Sequence, residues 1–329
     1  MKAGELGEFG LIELIAGIVG KPAGRALVLG IGDDASVWHT DKATQIGTTD
    51  TLVQDVHFTF DTATWRELGW KALAINISDI AAMGGEPLYA LVSLGLHPDT
   101  DVEDVVEFYR GLLEIAGEFD VEICGGNISS AAVAVINVSV IGQSPDTVLM
   151  RSAALPGDRI AVTGYLGQAA AGFEMFKSGL AFDTETTAFL RAAQLHPYPR
   201  VAEGRLLAQH GVKAAIDLSD GLLNDLSHIC KASGVGARVN IPSLPVHPMV
   251  KAAFGVDSVG LAVSGGEDYE LLFTATSEVI DSIKGLMPTP ITVTGEIVSG
   301  KPGQVTLYDE QGKPVEYDKY GWEHFKTSG

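Results

Sequence analysis

Carboxylates next to glycine or small hydroxyl residues are the side chains of this sequence best suited to chemistry. They occur in five short segments, at residues 30–34, 48–51, 76–79, 217–221 and 265–270. Carboxylate and hydroxyl oxygens are the hard ligands that magnesium prefers, and each Mg²⁺ usually takes one or two carboxylates and keeps several waters. Single aspartates spread over five segments therefore predict several magnesium ions that bridge phosphate groups. They do not favour one cage built only from protein ligands.

Each segment alone also has an ordinary structural explanation. Asp33 fits an Asx turn and Asp220 fits a helix N-cap, and neither role needs a ligand. Asp79 is more specific, because it lies among isoleucines inside a predicted helix, where a buried carboxylate needs a partner or a metal. Residues 217–221 end a predicted strand and open a helix, which is a favourable place for a metal–phosphate group. The prediction of a site therefore depends on all five segments together.

Several common site types are missing from the sequence. It contains no GxxxxGK[ST] phosphate loop, no GxGxxG after a predicted strand, and no HExxH or Cys/His ligand group. A P-loop, a kinase-type glycine loop, a dinucleotide fingerprint and a zinc box are therefore not predicted. The two cysteines, Cys124 and Cys230, are most simply buried small hydrophobic residues in a reducing compartment.

The charge and hydropathy of the chain limit its partners. Its net charge is −20, and a surface this acidic repels nucleic acid and anionic lipid, so neither is predicted as a partner. A polyphosphate ligand would need cations to bind. No apolar run approaches the roughly 18–20 residues of a membrane span, and the N-terminus lacks the basic-then-apolar order of a secretory signal. The sequence therefore predicts a cytoplasmic protein.

Helix and strand patterns alternate along the chain without internal repeats, and they predict an α+β fold in two domains. A turn signature at residues 155–158 places the boundary between residues 1–153 and residues 154–329. Thr64 and Glu67 have capping-box spacing at the start of one helix, and Asp101 is predicted to cap the next. In the first domain we expect helices at 8–19, at 65–83 and from 101, and strands near 44–50, 52–60, 88–95, 121–124 and 132–142. In the second we expect helices near 167–178, 186–194, 200–210, 221–233 and 278–286, and strands near 159–163, 213–217, 235–241, 269–276, 291–298 and 304–308.

The acidic segments and their flanking residues occur in the same order in thiamine-monophosphate kinases, which the chain resembles over essentially its whole length. The matching stretches are 30–34, 49–53 with 57–58, 78–84, 216–222, 264–271 and 321–325. This resemblance places the chain in the AIR synthase-like superfamily of ATP-using enzymes. It implies ATP-dependent phosphorylation of thiamine monophosphate to thiamine diphosphate by direct in-line transfer, with several Mg²⁺ ions. It also implies a homodimer whose N-terminal domains pair strands and bind ATP and Mg²⁺, and a C-terminal domain that completes the substrate site.

The resemblance also implies roles for particular residues. The catalytic metal-holding residues are Asp50, Asp79 and Asp217. The full set of implied metal ligands is Asp33, Asp34, Thr48, Thr49, Asp50, Asp79, Asn127, Asp217 and Asp220. Implied contacts to ATP are Tyr109, Gly126, Asn127, Arg151 and Ser219, and implied contacts to the thiamine phosphate acceptor are His57, Glu267 and Trp322. Asn127 is a departure, because the family pattern most often has aspartate there; an amide carbonyl can coordinate magnesium but brings no charge.

The chemistry implied by the resemblance agrees with the residue types present. Phosphoryl transfer needs mainly positioning and charge neutralisation from the protein, and a phosphate monoester acceptor is already ionised, which agrees with the lack of a Ser-His-Asp or Cys-His group. Magnesium on the aspartates would clamp both sides of an in-line displacement. Arg151 is suited to nucleotide phosphates and Trp322 to a cationic heterocycle. A surface arginine and a packed tryptophan are the alternatives for these two residues.

Two rival functions remain open from the sequence. One is another AIR synthase-like enzyme with a different acceptor. A selenophosphate-synthetase-like enzyme is expected to carry a reactive cysteine near its N-terminus, and a hydrogenase-maturation-type enzyme is expected to carry a C-terminal cysteine tail. No cysteine precedes Cys124 and none follows Cys230, although AIR synthase itself stays open. The other rival is a non-catalytic magnesium–nucleotide-binding homologue, for which Asn127 is the one indication.

Overall fold

Two compact units make up the chain, one of residues 1–80 and 86–145 and the other of residues 81–85 and 146–329. The computed structural model describes residue 5 and residues 14–20, 27–29, 37–38, 44–144 and 147–317. Each unit combines helices with a mixed β-sheet, which confirms the predicted α+β class. The boundary predicted after residue 153 falls inside the second unit.

The first unit is built on a four-stranded sheet. Its elements are β1 (Leu27–Leu29), β2 (Val37–Trp38), β3 (Thr44–Val53), α1 (Trp65–Ala82), β4 (Glu86–Leu96), α2 (Val102–Phe119), β5 (Glu122–Ser130) and β6 (Val135–Ser144). The strand order in the sheet is β3-β6-β4-β5, in which β4 and β5 are parallel and the other neighbours antiparallel. Strands β1 and β2 form a separate antiparallel pair. Residues 14–19 are helical, and the rest of the helix predicted over 8–19 lies outside the described residues.

One face of the four-stranded sheet is buried and the other is partly open. Along β6, the even-numbered residues from Ile136 to Val140 are buried while Asn137 and Ser139 are partly exposed. Successive side chains of a strand point to opposite faces, which explains the alternation. Helix α1 packs on the buried face, where Ile80 lies close to Gly142 of β6. That face is therefore the core of the unit.

Helix α1 is buried on nearly all sides, which accounts for its apolar sequence. From residue 67 to 82, only Trp70 and Asp79 are more than slightly exposed. Helices α1 and α2 cross so closely that a Cβ on Gly69 would overlap the carbonyl oxygen of Phe108, and one on Gly111 would overlap that of Arg66. Glycine is thus required at both positions, because the backbones of the two helices lie too close together for a Cβ.

Hydrogen bonds at the helix starts confirm one capping prediction and overturn another. The Thr64 N–H donates to Glu67 Oε2 at 2.8 Å and the Glu67 N–H donates to Thr64 Oγ1 at 3.3 Å, which is the predicted capping box. Asp101 occupies the N-cap of α2 with extended backbone but makes no side-chain capping hydrogen bond. The predicted capping role of its carboxylate is therefore wrong.

The prediction of a strand over 52–60 is also wrong for the residues that follow β3, which ends at Val53. The chain turns at residues 54–57, where Asp55 has a positive φ of 64°. His57 Nδ1 accepts from the Val53 N–H at 3.0 Å, and the Asp55 N–H donates to the Phe58 carbonyl at 2.8 Å. The apolar residues that mimic a strand here belong to a tight turn closed by its own hydrogen bonds.

The second unit is built on a seven-stranded sheet. Its strands are β7 (Arg159–Thr163), β8 (Ala214–Asp217), β9 (Gly236–Asn240), β10 (Leu271–Ala275), β11 (Ile291–Val298), β12 (Val305–Tyr308) and β13 (Pro314–Val315). Its helices are α3 (Gln168–Ser178), α4 (Thr184–Leu195), α5 (Val201–Gln209), α6 (Leu222–Ser233), α7 (Pro248–Phe254), α8 (Asp257–Ser264) and α9 (Ser277–Ile283). The strand order is β13-β12-β9-β11-β7-β10-β8, and only the β9–β12 pair is parallel.

Apolar layers lie on both faces of this sheet. Ile160 and Val162 of β7 belong to a large cluster with side chains of α3, α4, α6, α7 and α8. Ala161, between them, belongs to a smaller cluster on the other face with Leu207 of α5 and Ile280 of α9. A strand that is apolar at every position is therefore buried on both sides. Among the described residues, no helix has the length and apolar character needed to cross a membrane.

Candidate active site

Thr48 and Asp79 meet on the buried side of the first unit's sheet. Thr48 Oγ1 donates to Asp79 Oδ2 at 2.6 Å, which joins the edge strand β3 to helix α1. Asp50 lies two residues further along β3 and therefore faces the same side. Asp79 and Asp50 are both partly exposed. The structure thus places three predicted metal ligands on one side of the sheet and brings the Thr48 hydroxyl into contact with the Asp79 carboxylate.

Thr49 lies on the opposite face of β3 from these three residues. Its Oγ1 accepts from Asn137 Nδ2 at 3.1 Å and from Ser139 Oγ at 2.9 Å. Asn137 Nδ2 also donates to Thr51 Oγ1 at 2.8 Å. The hydroxyl of Thr49 is therefore part of a polar network on the open face.

Asn127 lies on β5, at the other edge of the same sheet. It is exposed, and it pairs with Ser93 of β4, which pairs in turn with Asn137 of β6. The register places a polar row of Thr51, Asn137, Ser93 and Asn127 across all four strands. Asn127 and Thr49 therefore share the open face, and the structure does not group them with Asp79.

The remaining predicted residues of the first half lie in varied surroundings. Tyr109 is 3% exposed in α2, where burial raises the pKa of its hydroxyl. Gly126 is exposed on β5 and pairs with Val92. His57 holds the turn after β3 through Nδ1. Arg151 belongs to the second unit, where its side chain is exposed and its carbonyl accepts from Ser233 Oγ at 2.8 Å.

Three predicted residues cannot be placed. Asp33, Asp34 and Trp322 lie outside the described residues.

Two loops of the second unit form one paired structure that carries most of the other predicted residues. Strands β8 and β10 are antiparallel neighbours, and their pairing continues past the ends of the strands. The Leu218 N–H donates to the Glu270 carbonyl at 2.8 Å, the Tyr269 N–H to the Leu218 carbonyl at 2.9 Å and the Glu267 N–H to the Ser219 carbonyl at 2.8 Å. We call residues 217–221 and 265–270 the paired loops.

Glycine is required where the paired loops touch. A Cβ on Gly266 would overlap the carbonyl oxygen of Ser219. Gly221 has a φ of +107°, a conformation that side chains with a Cβ rarely adopt, at the point where the loop enters α6. The glycines predicted to allow close approach thus serve the contact between the two loops.

Asp217, Asp220 and Asp225 concentrate negative charge at the first of the paired loops. Asp217 is 3% exposed at the end of β8, and Asp225 is 1% exposed in α6. Asp225 Oδ2 accepts from the N–H groups of Asp220 at 3.1 Å and Gly221 at 3.0 Å. Burial first, and then the charges of Asp217 and Asp220, raise the pKa of Asp225 well above its ordinary value. A divalent cation would offset the negative charge of Asp217 and Asp220, so these two carboxylates fit one.

Magnesium needs few protein ligands at such a place. Among the described residues, no group of three or more His, Cys, Asp or Glu side chains is arranged to hold a metal ion. Mg²⁺ takes one or two carboxylates and completes its shell with water and substrate phosphate oxygens. The hard oxygen donors Thr48 with Asp79, and Asp217 with Asp220, match that requirement.

The second of the paired loops is held through the carboxylates of Glu267 and Asp268. Glu267 itself has a positive φ of 68°, and Gln194 Nε2 donates to its Oε2 at 2.6 Å. Asp268 accepts from the Gly167 N–H at 2.6 Å and the Ala169 N–H at 3.1 Å, so it caps the start of α3. Burial raises the pKa of Asp268 to about 7, although both N–H groups favour the carboxylate.

Glu270 anchors the end of the same loop through a buried ion pair. Arg200 donates to it twice, from Nε to Oε2 at 2.7 Å and from Nη2 to Oε1 at 2.6 Å, and Thr163 Oγ1 donates to Oε2 at 2.6 Å. Burial lowers the pKa of Arg200, but the hydrogen bonds and charge of Glu270 outweigh it, so the pKa is raised. The paired loops are thus fixed to α3, α4 and the start of α5.

Sequence reasoning did not identify the residues that hold these loops. The role of Asp225 is indicated by its position in the sequence. It lies four residues after Gly221 in a predicted helix, so its carboxylate can reach back to the start of the helix. Asp268 and Glu270 belong to a recognised acidic segment from which only Glu267 was assigned a role. Arg200 and Gln194 carry no local signal, because their partners lie 70 and 73 residues away.

Known proteins resemble both halves of the chain. The AIR synthase related protein N-terminal domain family matches residues 32–144, and the corresponding C-terminal domain family matches residues 156–280. A thiamine-monophosphate kinase of Salmonella typhimurium LT2 is 38% identical over 305 residues, which cover 91% of this chain and 92% of the relative. The chain belongs to the thiamine-monophosphate kinase family. This confirms the family predicted from the acidic segments.

Solved structures of the thiamine-monophosphate kinase family have the same fold. The kinase from Stenotrophomonas maltophilia K279a superimposes with a TM-score of 0.81 at 33% identity, covering 93% of this chain and 96% of that chain. The structure of AaThiL complexed with AMPPCP and TMP gives a TM-score of 0.78 at 31% identity and covers 99% of both chains. The two AIR synthase-like domains predicted from the sequence are therefore confirmed.

Proposed function

We propose that this chain transfers the terminal phosphoryl group of ATP to thiamine monophosphate, giving thiamine diphosphate in the biosynthesis of that cofactor. The observation that carries the proposal is the pair of loops at 217–221 and 265–270. They hold Asp217, Ser219, Asp220 and Glu267 in one hydrogen-bonded structure, in a chain that belongs to the thiamine-monophosphate kinase family. These residue types suit a site in which a phosphorylated substrate meets metal-bound phosphate.

The chain's own residues have little covalent chemistry to do in this reaction. Phosphoryl transfer depends on positioning and on stabilising charge. A phosphate monoester has a second pKa of about 6, so the acceptor oxygen is ionised near neutral pH and needs no general base. Magnesium ions, when bound, neutralise the phosphate oxygens of both substrates. The protein's part is to hold those ions and to align acceptor and donor.

Each unit carries oxygen donors that we propose as magnesium ligands. In the first unit these are Thr48, Asp50 and Asp79, and the Thr48 hydroxyl also donates a 2.6 Å hydrogen bond to Asp79. In the second unit they are Asp217 and Asp220, beside the buried Asp225. The further proposed ligands are Asp33, Asp34, Thr49 and Asn127. Asn127 provides a neutral oxygen where the family pattern most often has a carboxylate, so we expect weaker metal binding there than with aspartate.

The remaining proposed contacts divide between the two substrates. Glu267, His57 and Trp322 contact the thiamine phosphate acceptor, whose positive charge suits a carboxylate and an aromatic face. ATP is contacted by Tyr109, Gly126, Asn127, Arg151 and Ser219. Arg151 is exposed and is therefore accessible to nucleotide phosphates. Residues 1–153 are proposed to form the ATP-binding and dimerisation domain, and residues 154–329 to complete the substrate site.

A homodimer is proposed from the edge of the first unit's sheet. Strand β3 is ten residues long and pairs, among the described residues, only with β6. A long edge strand is a ready template for pairing with another chain, and a second copy supplies one. Light scattering would then report about twice the 34.6 kDa chain mass, and a mass of one chain at micromolar concentration would contradict the dimer. The enzyme is proposed to work in the cytoplasm, where thiols such as Cys124 and Cys230 stay reduced.

An acceptor panel tests the proposed function. The purified chain is incubated with ATP, Mg²⁺ and either thiamine monophosphate or another phosphorylated acceptor, and the products are identified by mass. We expect thiamine diphosphate and ADP in equal amounts. Asp217→Asn is expected to abolish product formation, while Asp281→Asn, which changes an exposed aspartate of α9, leaves it unchanged. Turnover only with another acceptor would favour a different AIR synthase-like enzyme, and ATP binding without turnover would favour a non-catalytic homologue.

A further inference from the structure

Gln194 holds the Glu267 carboxylate from a rigid position in helix α4. The side chain is 5% exposed, and its Nε2 donates to Glu267 Oε2 at 2.6 Å. Helix α4 packs so tightly on α3 that a Cβ on Gly172 would overlap the carbonyl oxygen of Leu190, one turn before Gln194. The backbone and Cβ from which the amide extends are therefore held in place by the packing of α4 on α3.

The other end of the Gln194 amide is unsatisfied. Its Oε1 is buried and has no hydrogen-bond partner among the residues that the structure describes. A buried acceptor without a donor destabilises a protein, whereas an apolar side chain of similar shape carries no such penalty. The orientation of the amide is set by Glu267, because a carboxylate accepts a hydrogen bond only from the NH₂ end. Packing alone would favour methionine at this position, so the amide is better explained by what it does to Glu267.

Glu267 is fixed through its backbone as well as its side chain. Its φ of 68° lies in the left-handed region, which is uncommon for residues other than glycine and is concentrated at functional sites. Its N–H donates to the Ser219 carbonyl at 2.8 Å, in the other of the paired loops. The carboxylate thus has one defined position in a partly exposed loop. A negative group so fixed suits a cationic or N–H-bearing ligand and repels phosphate.

We infer that Gln194 is a positioning residue that fixes the Glu267 carboxylate to receive the cationic, amino-bearing rings of the acceptor. The inference rests on the proposed function and deepens it. It assigns Glu267 to recognition of the ring system rather than the phosphate, and it makes an amide on α4 responsible for the acceptor affinity.

Steady-state kinetics of two near-isosteric variants test this. In Gln194→Met the carboxylate loses the hydrogen bond from the Gln194 amide, and in Gln194→Glu it faces a second carboxylate. Loss of a hydrogen bond to a charged group is expected to raise KM for thiamine monophosphate about tenfold or more, with a larger rise in Gln194→Glu. The KM for ATP is expected to stay within about twofold of wild type. Gln194→Met removes the unsatisfied Oε1 together with this hydrogen bond, so its unfolding temperature should stay close to that of wild type.

The control is Gln209→Glu, the same change at an exposed glutamine of α5, which should leave both KM values unchanged. Unchanged KM for thiamine monophosphate in both Gln194 variants would overturn the inference while leaving the proposed function intact. A parallel rise in both KM values with a lower unfolding temperature would overturn it too, because it would show a purely structural role. Failure of wild type to form thiamine diphosphate would instead overturn the proposed function itself.

Discussion

Replacing Arg200 by methionine is predicted to destabilise the second unit strongly. The substitution keeps the length of the aliphatic stem but removes the guanidinium that donates two hydrogen bonds to Glu270. Glu270 is 2% exposed, so water cannot replace the lost partner. Thr163 Oγ1 would remain as its side-chain donor at 2.6 Å, and one hydroxyl does not offset a buried negative charge.

The size of the effect follows from the burial of the pair. Breaking a buried ion pair by removing one partner typically destabilises a protein by about 3–5 kcal/mol. The Arg200 side chain is 22% exposed and Glu270 2%, so little of the interaction is screened by solvent. An exposed pair offers the comparison: Arg159 and Glu296 are 47% and 39% exposed, and Arg159→Met should cost less than about 1 kcal/mol.

Urea unfolding of Arg200→Met, Glu270→Gln and the double variant measures the coupling. Glu270→Gln replaces the buried carboxylate by a neutral amide, which needs no counter-ion. The double variant should therefore lose clearly less stability than the two single losses added together. A loss below about 1 kcal/mol for Arg200→Met, or strict additivity of the two substitutions, would refute the claim that this ion pair anchors the paired loops.

Three further predictions concern the site residues. Asp50→Asn should abolish magnesium-dependent turnover and keep the wild-type circular dichroism spectrum; a near-wild-type rate with normal magnesium dependence would contradict the role of Asp50. Gly266→Ala should push the paired loops apart at Ser219 and so lower both the unfolding temperature and the activity. Unchanged values in both assays would count against the close contact between the loops. The raised pKa of Asp268, about 7, means that the folded state binds more protons than the unfolded state between about pH 4 and pH 7. Stability should therefore fall as pH rises through that window. Asp268→Asn should reduce this fall in urea titrations at several pH values, while the raised pKa of Asp225 keeps its own contribution. An identical pH profile would refute the role of Asp268.

The regular elements could be predicted where the apolar pattern was strong. Strands β7 and β11 match the predicted ranges at both ends, because each is bounded by turn residues and is rich in β-branched side chains. Helices α7 and α8 were not predicted. They have seven and eight residues, which leaves little room for a repeating apolar stripe, and α7 begins with a proline.

The site could be predicted in its residue types but only partly in its geometry. The alternation of side chains along a strand was sufficient to place Thr48 and Asp50 on one face and Thr49 on the other, although the sequence argument grouped all three. The pairing of the loops at 217–221 and 265–270 depends on contacts between segments about 50 residues apart. Partners such as Arg200 for Glu270 are fixed by tertiary packing alone, which leaves no local trace in the sequence.

Label transfer from ATP tests the central claim most directly. The purified chain is incubated with γ-phosphorus-labelled ATP and thiamine monophosphate, with Mg²⁺ or with EDTA. If carboxylate-held magnesium brings the two phosphorylated substrates into line, the label should appear in the terminal phosphate of thiamine diphosphate, and only when Mg²⁺ is present. Label released as inorganic phosphate, or transfer that persists in EDTA, would contradict it.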